Sequence, residues 1–158
     1  IIVSSGTAIP EEGIDCDQNT FTITGGTIIG VGGASSTPTS SQCKQPVIIY
    51  GGTGTSGTYL SLADSKGNNV LAYKIPRNYS QMTILISSPL LSQNSSYTLS
   101  SGGTLSGGTG YHGLYIGSTY SGGTSLENLS LNSIVTTAGN TQQGGGMPGG
   151  GGMPGWGR

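Results

Sequence analysis

The sequence predicts an all-β protein: a short β-solenoid, then an antiparallel β region, then an extended glycine-rich tail. Three observations carry this. No segment repeats apolar residues at i, i+3, i+4 and i+7 over three turns, so helix signals are nearly absent. Short runs rich in Val, Ile, Thr and Tyr recur along the chain, bounded by Gly, Pro, Asn and Ser. The tripeptide Gly-Gly-Thr occurs at 25–27, 51–53, 102–104, 107–109 and 122–124. Glycine there permits positive φ at a corner, and threonine restarts a strand. These copies read either as independent turns or as the corners of a stacked coil.

The elements follow in order. Ile1-Ile2-Val3 is an apolar start suited to adding a strand to a neighbouring sheet. It lacks an initiator Met, which reads as a processed form or a fragment. Phe21, Ile23, Ile28 and Val31 sit among threonines, broken by Gly25-Gly26, and form coil strands within residues 1–45. A second part, 46–140, begins with the buried-type strand Val47-Ile48-Ile49-Tyr50. The runs 59–63 and 70–74 flank the polar turn Asp64 to Asn69, which predicts a hairpin. Further strands are expected at 82–86, 96–99, 112–116 and 126–135. Pro46, Pro76 and Pro89 fall at the margins of these runs, where a missing N–H does least harm. The third part, 141–158, repeats Gly-Met-Pro-Gly with period six and cannot bury a core alone. Its apolar side chains Met147, Met153 and Trp156 are candidate contacts to another subunit.

Composition narrows function. Only 7% of the 158 residues are charged and the net charge is −1, against about a quarter charged in a typical domain. The five basic residues are scattered, so no stripe tracks a phosphate backbone and no nucleic-acid partner is expected. No apolar run approaches the ~20 residues of a membrane helix. Two cysteines, abundant Ser and Thr, and Asn-x-Ser/Thr sequons at Asn78, Asn94 and Asn128 point to an extracellular or cell-surface setting and to candidate glycosylation sites.

The candidate sites have two readings each. Glu11, Glu12, Asp15 and Asp17 cluster, and Glu12, Asp15 and Asp17 supply oxygen atoms of the kind calcium takes. The same carboxylates on a solvated coil edge would discourage wrong strand pairing. Cys16 and Cys43, 27 positions apart, are either a disulfide between stacked coils or two buried thiols. A bridge would restrict the unfolded chain by about 3.5 kcal/mol, and coils stacked about 4.8 Å apart suit its Cα separation. Tyr111, Tyr115 and Tyr120 cluster among glycines and are candidates for stacking on sugar rings. All eight tyrosines also read as cross-strand packing. His112 is isolated, no G-x-S-x-G elbow is present, and no local pattern pairs two carboxylates across a cleft. An enzyme is therefore not expected, and no cofactor is required.

One stretch carries a family resemblance. "GIDCDQNTFTITGGTIIGVGG" resembles the last coil of the calcium-associated carbohydrate-binding β-helix proteins of bacterial cell surfaces, which carry Asp-Gly-Ile-Asp-Ser-Asn-Gly followed by Thr-Ile-Ser/Thr-Gly-Gly-Thr. "GTYLSLADSKGNNVLAYKIPRNYSQMTILISSPLL", "SSYTLSSGG" and the Gly/Met/Pro tail are similar to that group as well. The likeness spans roughly residues 11 to 137, with Cys16 where the family often has Ser. It implies a right-handed parallel β-helix with a C-terminal β region and no catalysis. It also implies calcium at some coils and affinity for acidic plant polysaccharide of the polygalacturonate type.

A solenoid cut to one or two coils exposes unpaired backbone groups at its ends, and this chain shows no obvious capping helix and few charged gatekeepers. End-to-end contact between copies is heterologous and propagates. The expected function is therefore that of a self-assembling subunit of an extracellular fibre, built from copies of itself through Ile1, Ile2, Val3 and the tail. The alternative is a polysaccharide-binding surface module.

Overall fold

The computed structural model describes residues 1–17 and 19–144. Met147, Met153 and Trp156 lie outside the described residues. The described chain is all-β apart from one 3-10 turn at Ser40–Gln42. Among the described residues, no helix is long and apolar enough to cross a membrane.

Among the described residues, eleven strands form two sheets. They are β1 (Ile2–Ser4), β2 (Ile28–Gly32), β3 (Val47–Gly54), β4 (Tyr59–Asp64), β5 (Asn69–Lys74), β6 (Tyr79–Ser87), β7 (Ser96–Ser106), β8 (Thr109–Tyr111), β9 (Leu114–Ile116), β10 (Thr119–Ser130) and β11 (Val135–Gly139). The first sheet is mixed, in the order β1-β2-β6-β3-β11; the second is antiparallel, in the order β10-β7-β4-β5-β9-β8. In the mixed sheet β6 pairs with β2 on one side and β3 on the other. Residues 1–45 and 46–140 thus share one sheet.

Binary patterning explains the layers. In β2, β3 and β6 both faces are apolar, so these strands are buried on both sides. One face presents Ile29, Val31, Ile48, Tyr50, Ile84 and Ile86 to Leu60, Leu62, Leu71, Tyr73, Leu99 and Leu129 of the antiparallel sheet. The other face presents Ile28, Val47, Ile49 and Leu85 to Ile23, with Ile14, Phe21 and Cys43 packed alongside. A fully buried Leu or Ile contributes roughly 1.5–3 kcal/mol. The sandwich core is the larger of the two by number of buried side chains.

The second, smaller core is enclosed by two successive passes of the chain that run parallel and bond in step. β1 pairs with β2 from Ile2↔Ile29 to Ser4↔Val31, and Glu12 bridges to Ala34 in parallel. Ser36 N–H donates to Ile14 O at 2.8 Å, Thr39 N–H to Phe21 O at 2.7 Å, and Lys44 N–H to Ile23 O at 2.9 Å. A third pass joins at Gln143, which bridges to Ser35 in parallel. Thr83, fully buried, ties these passes: its hydroxyl donates to Gly33 O and accepts from Gln142 N–H at 3.0 Å.

The hairpin expected over 59–74 is present, with β4 and β5 antiparallel from Tyr59↔Lys74. Asp64 closes its turn by accepting from Lys66 N–H and Asn68 N–H, each at 2.9 Å. The Gly-Gly-Thr copies differ in role. Gly26 turns at φ 79°, whereas 51–53 lie inside β3. The copies at 102–104 and 122–124 face each other across β7 and β10, Gly102 opposite Gly123. Gly102, Gly103 and Gly122 have φ of 83°, 61° and 74°, a backbone that kinks a strand and that only glycine adopts at low cost.

Candidate functional site

The described surface offers two features that could act on a partner: the edges of the mixed sheet and the outer face of the antiparallel sheet.

Among the described residues, β1 and β11 end the mixed sheet. β1 is parallel to β2, β2 and β3 are each antiparallel to β6, and β11 is parallel to β3. It follows that β1 and β11 point the same way. Ile29 N–H donates to Ile1 O and Ser5 N–H to Val31 O, both at 2.9 Å. In a parallel ladder alternate residues face one neighbour, so the backbone N–H and C=O groups of Ile2 and Ser4 turn outward. On β11, Val47 N–H donates to Ile134 O and Asn140 N–H to Gly51 O, so those of Val135, Thr137 and Gly139 turn outward. Neither strand carries a charged residue.

Beside β1 the described residues leave the sandwich open. A cleft of about 550 Å³ separates Ile1, Ile2 and Ser4 from Tyr73, Pro76, Tyr111 and His112. Ile1 is 76% exposed and Tyr111 67%. His112 stands at the β8–β9 turn with φ 47°, its ring edge-on to Tyr111 at 4.3 Å. At the opposite side β10 touches β11 and brings the two sheets together.

The outer edges of the antiparallel sheet are different. β8 has three residues. β10 has twelve, but its register shifts between Ser125 and Glu127, and Glu127 places a charge on the edge. A bulge and a carboxylate are the usual devices against edge pairing.

The outer face of that sheet carries an aromatic pair. Leu60 and Leu62 point into the sandwich, so Tyr59 and Ser61 point away from it. Tyr59 meets Tyr115 edge-on at 5.7 Å, and Lys74 Nζ lies 5.9 Å from the Tyr59 ring centre. Ser61 Oγ donates to Asn69 Oδ1 at 2.8 Å, and Asn69 Nδ2 donates to Ser118 Oγ at 3.0 Å.

The expected sugar-facing trio is therefore corrected. Tyr115 is on this face, but Tyr111 lines the cleft beside β1. Tyr120 lays its ring over Gly103 and its hydroxyl against Gly123, where the oxygen is buried and has no partner among the described residues. Tyr59 is one of the eight tyrosines that could stack on sugar rings but not one of that trio, and Lys74 was not expected there. The turn alone does not announce their pairing, because the register shifts by one residue between Leu62 and Ala63, and without that bulge Tyr59 would lie opposite Tyr73.

The calcium expectation is corrected as well. Asp15 Oδ1 accepts from Asp17 N–H at 3.0 Å, and Glu12 Oε2 accepts from Ser36 Oγ at 2.8 Å. Asp17 has φ 46°. Glu12 reaches sideways across the passes toward Gly144, while Asp15 closes a local turn. Among the described residues no group of three His, Cys, Asp or Glu side chains could hold a metal ion.

Cys16 and Cys43 are free thiols, so the disulfide is not formed. The reason is the pitch of the passes. Cys16 N–H donates to Ser36 Oγ, a separation of 20 residues, and Lys44 lies beside Ile23. A spacing of 27 therefore sets the cysteines on different corners. Cys16 Sγ donates to Asn19 O at 3.4 Å, and Cys43 packs into the smaller core.

All three sequon asparagines are exposed. Asn78 Oδ1 accepts from Ser56 N–H at 2.8 Å, Asn128 Oδ1 accepts from Thr98 Oγ1 at 3.2 Å, and Asn94 turns at φ 61°.

No family model, curated protein or solved structure matches the chain.

Proposed function

We propose that the protein is a non-catalytic extracellular structural protein of the β-solenoid type, the repeating subunit of a surface fibre. The observation that carries this is the common direction of β1 and β11. A copy can add its β11 beside the β1 of the next without reversing, and each addition leaves another β1 and β11 exposed. Such a heterologous contact propagates. The parallel passes over 1–45, the exposed sequons and the low charge support the solenoid type and the extracellular setting. No cofactor is needed for this role. Sedimentation velocity and negative-stain microscopy of the full chain test it. Particles that lengthen with concentration are expected, and a monomer at every concentration would refute the reading.

A second reading is favoured by one observation, the Tyr59–Tyr115 pair beside Lys74. Aromatic faces stack on sugar rings and the ammonium pairs with a uronate carboxylate. This is the surface on which an acidic polysaccharide would bind, and the resemblance to polygalacturonate-binding β-helix proteins points to the same ligand. Affinity electrophoresis in polygalacturonate gels, with and without chelator, tests it. Retardation lost in Tyr59→Ala and Lys74→Ala is expected; equal mobility in gels with and without the polymer would remove the reading.

A further inference from the structure

We infer that the cleft beside β1 is a strand-acceptor site for β11 of a second copy, seated with Ile2 opposite Thr136, Val3 opposite Thr137 and Ser4 opposite Ala138. This rests on the assembly reading and names the partner segment for it.

Three constraints converge on this seating. The first is hydrogen bonding. Ile2 and Ser4 offer outward groups on one edge, and Val135, Thr137 and Gly139 offer them on the other. In parallel pairing, a residue that bonds across the ladder lies opposite one that does not. Ile2 and Ser4 therefore lie opposite even-numbered residues of β11, whose groups are engaged with β3, and full overlap of the two strands selects Thr136 and Ala138.

The second constraint is the side-chain face. Ile2 and Ala138 both pack against the sandwich core, and Val135 packs against the smaller core. The seating puts Ile2, Ser4, Thr136 and Ala138 on the sandwich side and Val3 and Thr137 on the other. Both cores then continue from one copy into the next. A shift of one residue would exchange the faces.

The third constraint is space and charge. The cleft lies on the sandwich side of β1, where Thr136 and Ala138 would enter, and Tyr73, Pro76 and Tyr111 form its far wall. Both strands are uncharged, so nothing on either edge repels the other. The bulge and Glu127 exclude β10 as the competing edge.

The test uses substitutions that leave each strand's own ladder intact. Ser4→Pro removes an outward N–H from β1, and Thr137→Pro removes one from β11. Val3→Lys keeps every backbone donor and sets a charge on the β1 edge. Circular dichroism and thermal unfolding establish which variants are folded, and Val3→Lys serves if a proline variant is not.

Each variant alone is expected to stay monomeric where the unmodified chain forms fibres. An equimolar mixture of Ser4→Pro and Thr137→Pro is expected to give a heterodimer and nothing longer, because one partner keeps β11 and the other keeps β1. Fibres from a folded variant alone, or from the mixture, would overturn the seating while leaving the assembly reading in place. A monomeric unmodified chain would refute both.

Discussion

The two sheets end in opposite ways. The antiparallel sheet finishes in a twelve-residue strand, β10, that is long enough to attract a partner but carries a register shift and Glu127. The mixed sheet finishes in two short strands that have neither a charge nor a bulge and that run in the same direction. Length alone would rank β10 as the assembly edge. The chemistry of edge protection ranks it last. On the proposed fibre reading, open edges at β1 and β11 and a protected edge at β10 would direct association along one axis and suppress it along the other.

The comparison can be broken most severely at the core both sheets share. Leu99 is fully buried between them. Leu99→Ala is expected to cost about 3–4 kcal/mol, read by chemical denaturation, and to abolish both edges together. Loss of assembly without loss of stability would show that the sandwich does not hold the edges.

A narrower break lies at Gly51. A side chain there would meet the backbone of Asn140 and Thr141, just where β11 leaves β3. Gly51→Val is expected to cost about 2 kcal/mol and to displace β11, leaving β1 competent. Such a variant should cap growing ends and shorten fibres of the unmodified chain; fibres of unchanged length would place the contact elsewhere.

Glu127→Val addresses the opposite edge. Its effect on monomer stability is expected to stay within about 0.5 kcal/mol. Light scattering should nonetheless rise, as copies begin to meet through β10. No change in scattering would mean that the bulge alone protects that edge.

The smallest effect concerns the buried phenols. Burial raises the Tyr50, Tyr73, Tyr79 and Tyr120 hydroxyls above the ordinary range, with Glu127 adding to the shift at Tyr50 and Tyr79 adding at Tyr73. Unfolded tyrosines ionise near pH ~10. A folded-state pKa above that value gives stability that is whole below pH ~10 and lost as pH rises toward the folded-state values. Phenolate absorbance should therefore rise in two phases, the second coinciding with unfolding. A single phase without unfolding would contradict the burial of these rings.

Much of the fold was legible in the residues. Val47 to Tyr50, Tyr59 to Ala63, Val70 to Lys74 and Met82 to Ile86 are strands because β-branched and aromatic residues cluster there between turn formers. Pro46, Pro76 and Pro89 fall at their ends, as a residue without an N–H must. The twelve-residue β10 was missed because Ser121, Gly122, Gly123 and Thr124 read as a corner; instead that Gly-Gly-Thr copy pairs with 102–104 inside a kinked ribbon. The break at 131–134 that separates β10 from β11 was missed because Leu129, Leu131 and Val135 look continuous. The partition at residue 45 did not anticipate that β6 enters between β2 and β3, a long-range pairing that no local pattern announces. The cysteine pairing was unreadable for a related reason. The offset at which two passes of the chain pair is set by where the chain turns, and Cys16 lies beside Ser36 rather than Cys43. Tyr59 and Lys74 meet because a bulge between Leu62 and Ala63 shifts the hairpin register, which no turn residue announces, and the position of Tyr115 beside them depends on how β9 returns to β5.

The most direct test of the central claim is amide hydrogen exchange of the full chain across a range of protein concentrations. The account predicts that the amides of Ile2, Ser4, Val135, Thr137 and Gly139 exchange freely in dilute solution and gain protection together as concentration rises, while the outward amides of β10 do not. Protection of β10 with no change at β1 and β11, or exchange independent of concentration at every position, would contradict it.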